Sequence, residues 1–333
     1  MKRTFRQAAS DAWSCLKEAL ALLRENAASA FMLCALLYLL PALLSSISAW
    51  QVTAPLFAAW EDFLHGMTAG TVGAEELTEL LLRTMEGSSE TMLRTGLLSL
   101  LSSFFLVPLL QASLARMNLA QLNARTRLSA NDAASETLHS WKSLLFLAFI
   151  SMVVTQLLSF LPYFAAMVLS FVSNLLAIIP GLGSAAPLIG MLLVMVVRAA
   201  FDFFVTLMLS FIWLAAVGEG ARGMAAVARS AQICFRRIGV VALANLALSA
   251  VGFVLSALVA ILWSVAFFQG GAPIRVLQLA EPVIGAIFLP VTCALSAVLY
   301  VRAGGQGMGG SDPYGAPDHV HSIKSANIRD GQE

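Results

Sequence analysis

The sequence predicts an all-α membrane protein with six transmembrane helices. Three observations carry that prediction. First, 59% of the 333 residues are hydrophobic and only 12% are charged, where a water-soluble domain carries about 25% charged residues. So sparse a charge set cannot keep a whole molecular surface in water. Second, the apolar residues fall in runs long enough to cross a hydrocarbon core, which takes about 20 residues of helix. Third, the cations collect between alternate runs, the pattern left by retention of Lys and Arg on one side of a membrane.

The same composition narrows the function. A net charge of +1 offers no basic field for a nucleic acid, so no such partner is expected. Cys15, Cys34, Cys234 and Cys293 are far apart and form no C-x-x-C pair. They read as free thiols acting as small apolar residues. His65 and His139 stand alone, and His319 and His321 lie in a polar tail. No metal site and no cofactor are expected. The first apolar run is too long and too far from the start for a cleaved leader, so it reads as an anchor.

Residues 1–26 are expected to form a cytoplasmic amphipathic helix. Phe5, Ala9, Ala12, Trp13, Leu16, Leu20 and Leu23 fall on one face, with Arg6, Ser10, Asp11, Lys17 and Arg24 opposite. The six-helix transmembrane region then covers 27–302. Its spans are read at 27–50, 97–115, 144–168, 190–217, 239–263 and 282–301. Pro41, Pro108, Pro162 and Pro290 place a proline in four of them, which predicts kinks.

The apolar stretch from 144 to 217 holds only two charges, Arg198 and Asp202, and by length admits two or three crossings. Charge decides for two. With six spans, Arg116, Arg125, Arg127, Lys142, Arg222, Arg229, Arg236, Arg237 and Arg302 join the N-terminal cations on the cytoplasmic side. Only Arg83, Arg94 and Arg275 fall outside. A third crossing sends the four arginines of 222–237 to the wrong face. Both ends are therefore expected in the cytoplasm. Residues 169–189 include Asn174, Pro180, Gly181, Gly183 and Pro187. They fit either a re-entrant hairpin or an interfacial helix and turn on the outer leaflet. Residues 51–91 form an acidic outer loop, with two short amphipathic helices expected at 55–67 and 74–86; Glu61, Asp62, Glu75, Glu76, Glu79, Glu86 and Glu90 outnumber Arg83. Residues 303–333 are a flexible tail too polar to fold alone.

Three cytoplasmic segments share a design. Residues 3–25, 130–142 and 223–237 each form a basic amphipathic stretch leading into an outgoing span. Ala133-Ala134-Ser135-Glu136 echoes Ala8-Ala9-Ser10-Asp11. This suggests three repeats of an interfacial helix plus a transmembrane hairpin. Arg3, Arg6, Trp13, Lys17, Trp141, Lys142, Arg229, Arg236 and Arg237 are the residues expected to meet anionic lipid headgroups.

Arg198 and Asp202 are the sharpest intramembrane candidates. Four residues apart, they share a helical face near mid-depth, where ionisable groups are expensive. Two readings remain open. They line a polar path with Asp202 as a cation or proton site, or they form a neutral pair packed in the bundle beside Gln156 or Asn245. Gly252, Ser256 and Ala260 recur every four residues and predict close helix packing.

Glu219-Gly220-Ala221-Arg222-Gly223, followed by Ala226, Ser230 and Arg236-Arg237 ahead of a span, resembles a loose group of uncharacterised bacterial six-helix membrane proteins. That group includes the membrane domain fused to some glycerophosphodiester phosphodiesterases. The resemblance covers roughly residues 1–302. It implies a bacterial plasma-membrane location and no transferable activity, because the chain has nothing to supply the carboxylates and histidines of the phosphodiesterase site.

No acid–base or nucleophile set is legible in the aqueous segments. Gly218-Glu219-Gly220 with Gly223 lacks the Lys-Ser/Thr of a phosphate loop. The expected role is a non-enzymatic scaffold, accessory or envelope-maintenance protein, its protein partner unassigned. The alternative is a small-solute transporter or permease subunit using Arg198 and Asp202.

Overall fold

The computed structural model describes residues 5–51, 93–176, 186–269 and 272–305, with isolated positions at 54, 79, 82, 90 and 91. These residues are almost wholly helical and contain no strand. Six helices among them are long and apolar enough to cross a membrane: Phe5–Gln51, Leu93–Ala124, Trp141–Leu158, Leu192–Gly218, Ile238–Leu262 and Leu279–Arg302. Arg3, most of the acidic 51–91 loop and the tail beyond Gly305 lie outside the described residues.

The first helix, α1 (Phe5–Gln51), corrects one expectation. The interface helix of 1–26 and the span of 27–50 are a single continuous helix. Its buried positions explain this. Ala12, Cys15, Ala19, Leu22, Asn26, Ala30 and Leu33 recur at steps of three and four. The stripe is largely small, which lets α1 lie close against its neighbours along the bundle. Phe5, Trp13 and Leu20, assigned by sequence to a common apolar face, point away from the bundle.

The prolines act through widened turns. α1 has a π-turn at Ala35–Leu39, and α2 (Leu93–Ala124) has one at Ser102–Leu106. Each ends two residues before a proline, Pro41 and Pro108. Leu40 N–H reaches back to the Ala35 carbonyl, and Val107 N–H to that of Ser102. A proline ring collides with the carbonyl four residues earlier. The wider turn accommodates it without ending the helix.

After α2, Ser129 caps α3 (Ala130–His139) by accepting from Asp132 N–H, while the Asp132 carboxylate accepts from the Ser129 hydroxyl. Only Ser140 separates α3 from α4 (Trp141–Leu176). α4 runs beyond the span end read at 168. Residues 177–185 lie outside the described set, so neither alternative for 169–189 is described there. α5 (Ala186–Leu209) and α6 (Ile212–Gly218) together make the fourth span, broken at Ser210 and Phe211. α7 (Met224–Arg236) leads through Arg237 into α8 (Ile238–Gln269), and α9 (Ala272–Arg302) closes the bundle. The second and third copies of the suspected repeat thus keep a one-residue break before the span, and the first copy lacks it.

α9 is the most enclosed span. It packs against α1, α8 and α2, and these four form the core. α4 and α5 pack on each other as a separate hairpin, held to the core through α2, α6 and α7. The main buried cluster joins Cys15, Leu119, Phe211, Ile233, Val241, Leu295 and Tyr300. It lies toward the end of the bundle that carries the 125–129 and 219–223 connectors. Elsewhere Leu97, Phe160, Val196 and Phe253 face outward, an apolar surface suited to lipid. Of the small-residue series on α8, Gly252 lies against Phe288, while Ser256 and Ala260 are exposed.

Candidate functional site

The connector end is held by a clasp built on Glu219. α6 stops at Gly218, and positive φ values at Gly220 and Gly223, 66° and 53°, turn the chain. Such angles suit glycine and strain other residues. The reversal lays α7 against α6. Arg229 then donates to Glu219 from Nε at 2.6 Å and from Nη2 at 3.0 Å. Tyr300 of α9 donates its hydroxyl to the same carboxylate at 2.7 Å. One acid therefore ties α7 to α9. The hydrogen bonds to Glu219 hold the Arg229 guanidinium above its ordinary range, against the opposing effect of burial.

Ser230, fully buried, repairs the break in the fourth span. Its hydroxyl donates to the Met208 carbonyl at 2.5 Å and accepts from Phe211 N–H at 3.1 Å. These are backbone groups the interrupted helix leaves over. Glu219, Gly220, Gly223, Ala226 and Ser230, which stood out as a motif in the sequence, serve here as one structural joint. Arg229, grouped by sequence with the headgroup-facing cations, points into this joint with its side chain 22% exposed.

Other acids bind helix to helix at the same end. Glu18 pairs with Arg302, whose Nη2 also reaches Ser14 Oγ at 3.2 Å. Glu25 accepts from Gln121 and lies 3.8 Å from Arg127. Glu136 of α3 pairs with Arg116 of α2 at 3.2 Å. None of these pairs was legible in the sequence, because each joins residues on different elements and no local spacing signals it.

The remaining interface candidates lie on the outside of that end. Arg6, Trp13, Lys17, Trp141, Lys142 and Arg236 are exposed, and Arg237 is half-buried. Lys17 Nζ stands 5.6 Å from the Trp13 ring centroid, and Lys142 Nζ 5.9 Å from that of Trp141. Phe235 is exposed beside Arg236.

The four intramembrane candidates are not brought together. Arg198 Nε lies 3.7 Å from Asp202 Oδ2, so the pair forms, but both side chains are more than half exposed, at 56% and 54%. They sit on the outer face of α5, whose inner positions are taken by Val205 and Leu207. Gln156 also faces outward on α4. The packed ion pair beside Gln156 or Asn245 is therefore not what the helices build.

Asn245 belongs to a different feature. A cavity of about 360 Å³ lies at the seam between the α4–α5 hairpin and the core. Gln111, Ser151, Thr155, Thr206, Ser210, Asn245, Thr292 and Ser296 supply its polar lining, with Trp213 and Cys293. Among the described residues its wall carries no charged side chain. Along the fourth span, Arg198, Asp202 and Thr206 of α5 and Ser210 at its break follow one another at steps of four, so the ion pair leads toward this cavity. Sequence reading missed the site because its polar residues are single Ser, Thr, Asn and Gln positions scattered over separate spans. Among the described residues no three of His, Cys, Asp and Glu are grouped to hold a metal.

Fold and composition together define an all-α, six-span membrane protein. No family model matches the chain, and no curated protein or solved structure is detectably similar to it.

Proposed function

We propose that this is a non-enzymatic protein of the bacterial cytoplasmic membrane, both termini cytoplasmic, acting as a scaffold or accessory subunit in envelope upkeep. One observation carries the reading. Exposed aromatic and cationic residues sit side by side where three spans begin: Trp13 with Lys17, Trp141 with Lys142, and Phe235 with Arg236. An aromatic ring at headgroup level with a cation beside it suits an anionic leaflet. The internal clasps keep these pairs on one end of the bundle, and the positive-inside bias assigns that end to the cytoplasm. The likeness of the 219–237 stretch to bacterial six-helix membrane proteins supports the location.

Native mass spectrometry of protein released from phosphatidylglycerol-containing nanodiscs tests this. The expected result is retained anionic lipid, reduced in a Lys17→Gln/Lys142→Gln/Arg236→Gln variant. Equal retention by the variant overturns the headgroup role. Turnover of a lipid or nucleotide by purified protein overturns the non-enzymatic role.

A second reading, a small-solute transporter or permease subunit, is favoured by the polar series from Arg198 to Ser210 and the cavity it approaches. Pyranine-loaded proteoliposomes report proton movement. A rate unchanged by Asp202→Asn removes Asp202 from any such path.

A further inference from the structure

We infer that the outward face of α5 is a contact between two copies of this chain, joined by reciprocal pairing of Arg198 and Asp202. This goes beyond both functional readings and holds for either.

The six spans read from the sequence contain two charged side chains, Arg198 and Asp202, both in the fourth. That span begins at Leu192, so at 1.5 Å per residue Asp202 lies about 15 Å in from its outer end. A long arginine stem can bend toward the headgroups, but a short aspartate stays at its depth. Both side chains are more than half exposed, at 56% and 54%. Charges this deep are almost always turned to the inside of a bundle or toward water, and here they lie on the outer surface of α5.

The surface around them has the form of a helix–helix contact. Met195, Arg198, Ala199, Asp202 and Thr206 follow at steps of three and four and are all exposed, so they form one stripe. Ala199 lies in its middle, and a small residue there lets a second helix come close.

Charge selects the occupant. The stripe carries both signs, so it is complementary to itself. The Arg198 guanidinium reaches the level of Asp202, with Nε 3.7 Å from Oδ2. A two-fold axis along the membrane normal keeps depth unchanged and reverses direction within the plane. It sets each guanidinium level with the partner subunit's Asp202, and the four charges then alternate in sign. Their attraction is large where the dielectric is low. Lipid chains offer no such groups, and none of this chain's other spans has a charge to bring.

The test uses the full chain, fluorescently labelled, in liposomes at low protein density, where single-molecule photobleaching counts copies. Two bleaching steps are expected. A single step, the result if lipid or a different protein covers the stripe, overturns the inference. Asp202→Arg puts four cations at the contact and Arg198→Asp four anions, so each alone should lower the dimer fraction about tenfold or more. Co-expressed in two colours, the two variants should pair with each other, which neither misfolding nor an interface elsewhere produces. Dimers of either variant alone at the parent's level overturn the inference. Ala199→Cys leaves both charges in place. A bis-maleimide should join its two copies, and Phe253→Cys, exposed on α8, should stay unlinked. Absent linkage at 199, or equal linkage at 253, overturns it as well.

Discussion

The carboxylate of Glu219 accepts two hydrogen bonds from the guanidinium of Arg229, at 2.6 and 3.0 Å. Tyr300 donates to the same group, so α7, ahead of the fifth span, and the end of the sixth span share one anchor. Glu219→Ala leaves a partly enclosed cation and a buried hydroxyl without their acceptor. It should lower stability by about 2 kcal/mol, below the cost for a fully buried pair because Arg229 keeps some solvent. Tyr300→Phe should cost about 1 kcal/mol. Thermal unfolding in detergent measures both, and the double variant should lose less than the sum.

Ser230 bridges the interrupted fourth span through Met208 and Phe211. Ser230→Ala strands both backbone groups in a dry core and should cost about 2 kcal/mol. The same unfolding assay reads it, and no loss there would show that the broken helix satisfies itself.

Gly223 has φ of 53°, and a Cβ there would lie 3.2 Å from both Ile150 and Phe146. Gly223→Ala combines backbone strain with crowding and should destabilise by about 1–2 kcal/mol. Gly96, where an added Cβ meets nothing within 4 Å, is the matching control. Gly96→Ala in the first turn of α2 should be neutral or stabilising by a few tenths of a kcal/mol.

The pH profile follows from two raised pKa values outside the spans. Arg229 is raised by its hydrogen bonds to Glu219. Its contribution is complete below the ordinary arginine range and fades only as pH rises beyond it, so the clasp is constant through neutral pH. Burial raises the Cys234 thiol. Its contribution is complete below the ordinary thiol range, about 8.5, and falls as pH climbs and the unfolded chain ionises first. The unfolding temperature should be flat from about pH 6 to 8 and decline above about 9, and Cys234→Ala should flatten part of that decline.

Asp202→Asn removes the carboxylate that lies 3.7 Å from Arg198 Nε, one turn away on an outward face. Membrane yield and unfolding temperature should fall, by about 1–2 kcal/mol in stability, because a cation at this depth is costly. The exchanged pair Arg198→Asp/Asp202→Arg should recover most of it. Equal stability of Asp202→Asn and the parent would show that the pairing is incidental.

Much of the fold was legible because bilayer physics acts on local composition. Residues 239–263 carry no charge from end to end, and that alone marks a span. The arginines at 222–237 chose two crossings over three within 144–217. The Glu219–Ser230 motif was visible as a pattern, but its purpose was not. Its partners, Tyr300 and Met208, are set by how the spans pack.

What the sequence by itself determined is therefore the number, order and chemistry of the spans, since solvation in lipid depends on residues close along the chain. The tertiary structure alone decided that Arg229 turns inward to Glu219 and that Arg198 and Asp202 face out. It alone joined α1 into one helix and gathered Gln111, Thr155, Asn245 and Thr292 around a cavity. These depend on which faces meet, and helix rotation and contact are settled by packing between segments remote in sequence.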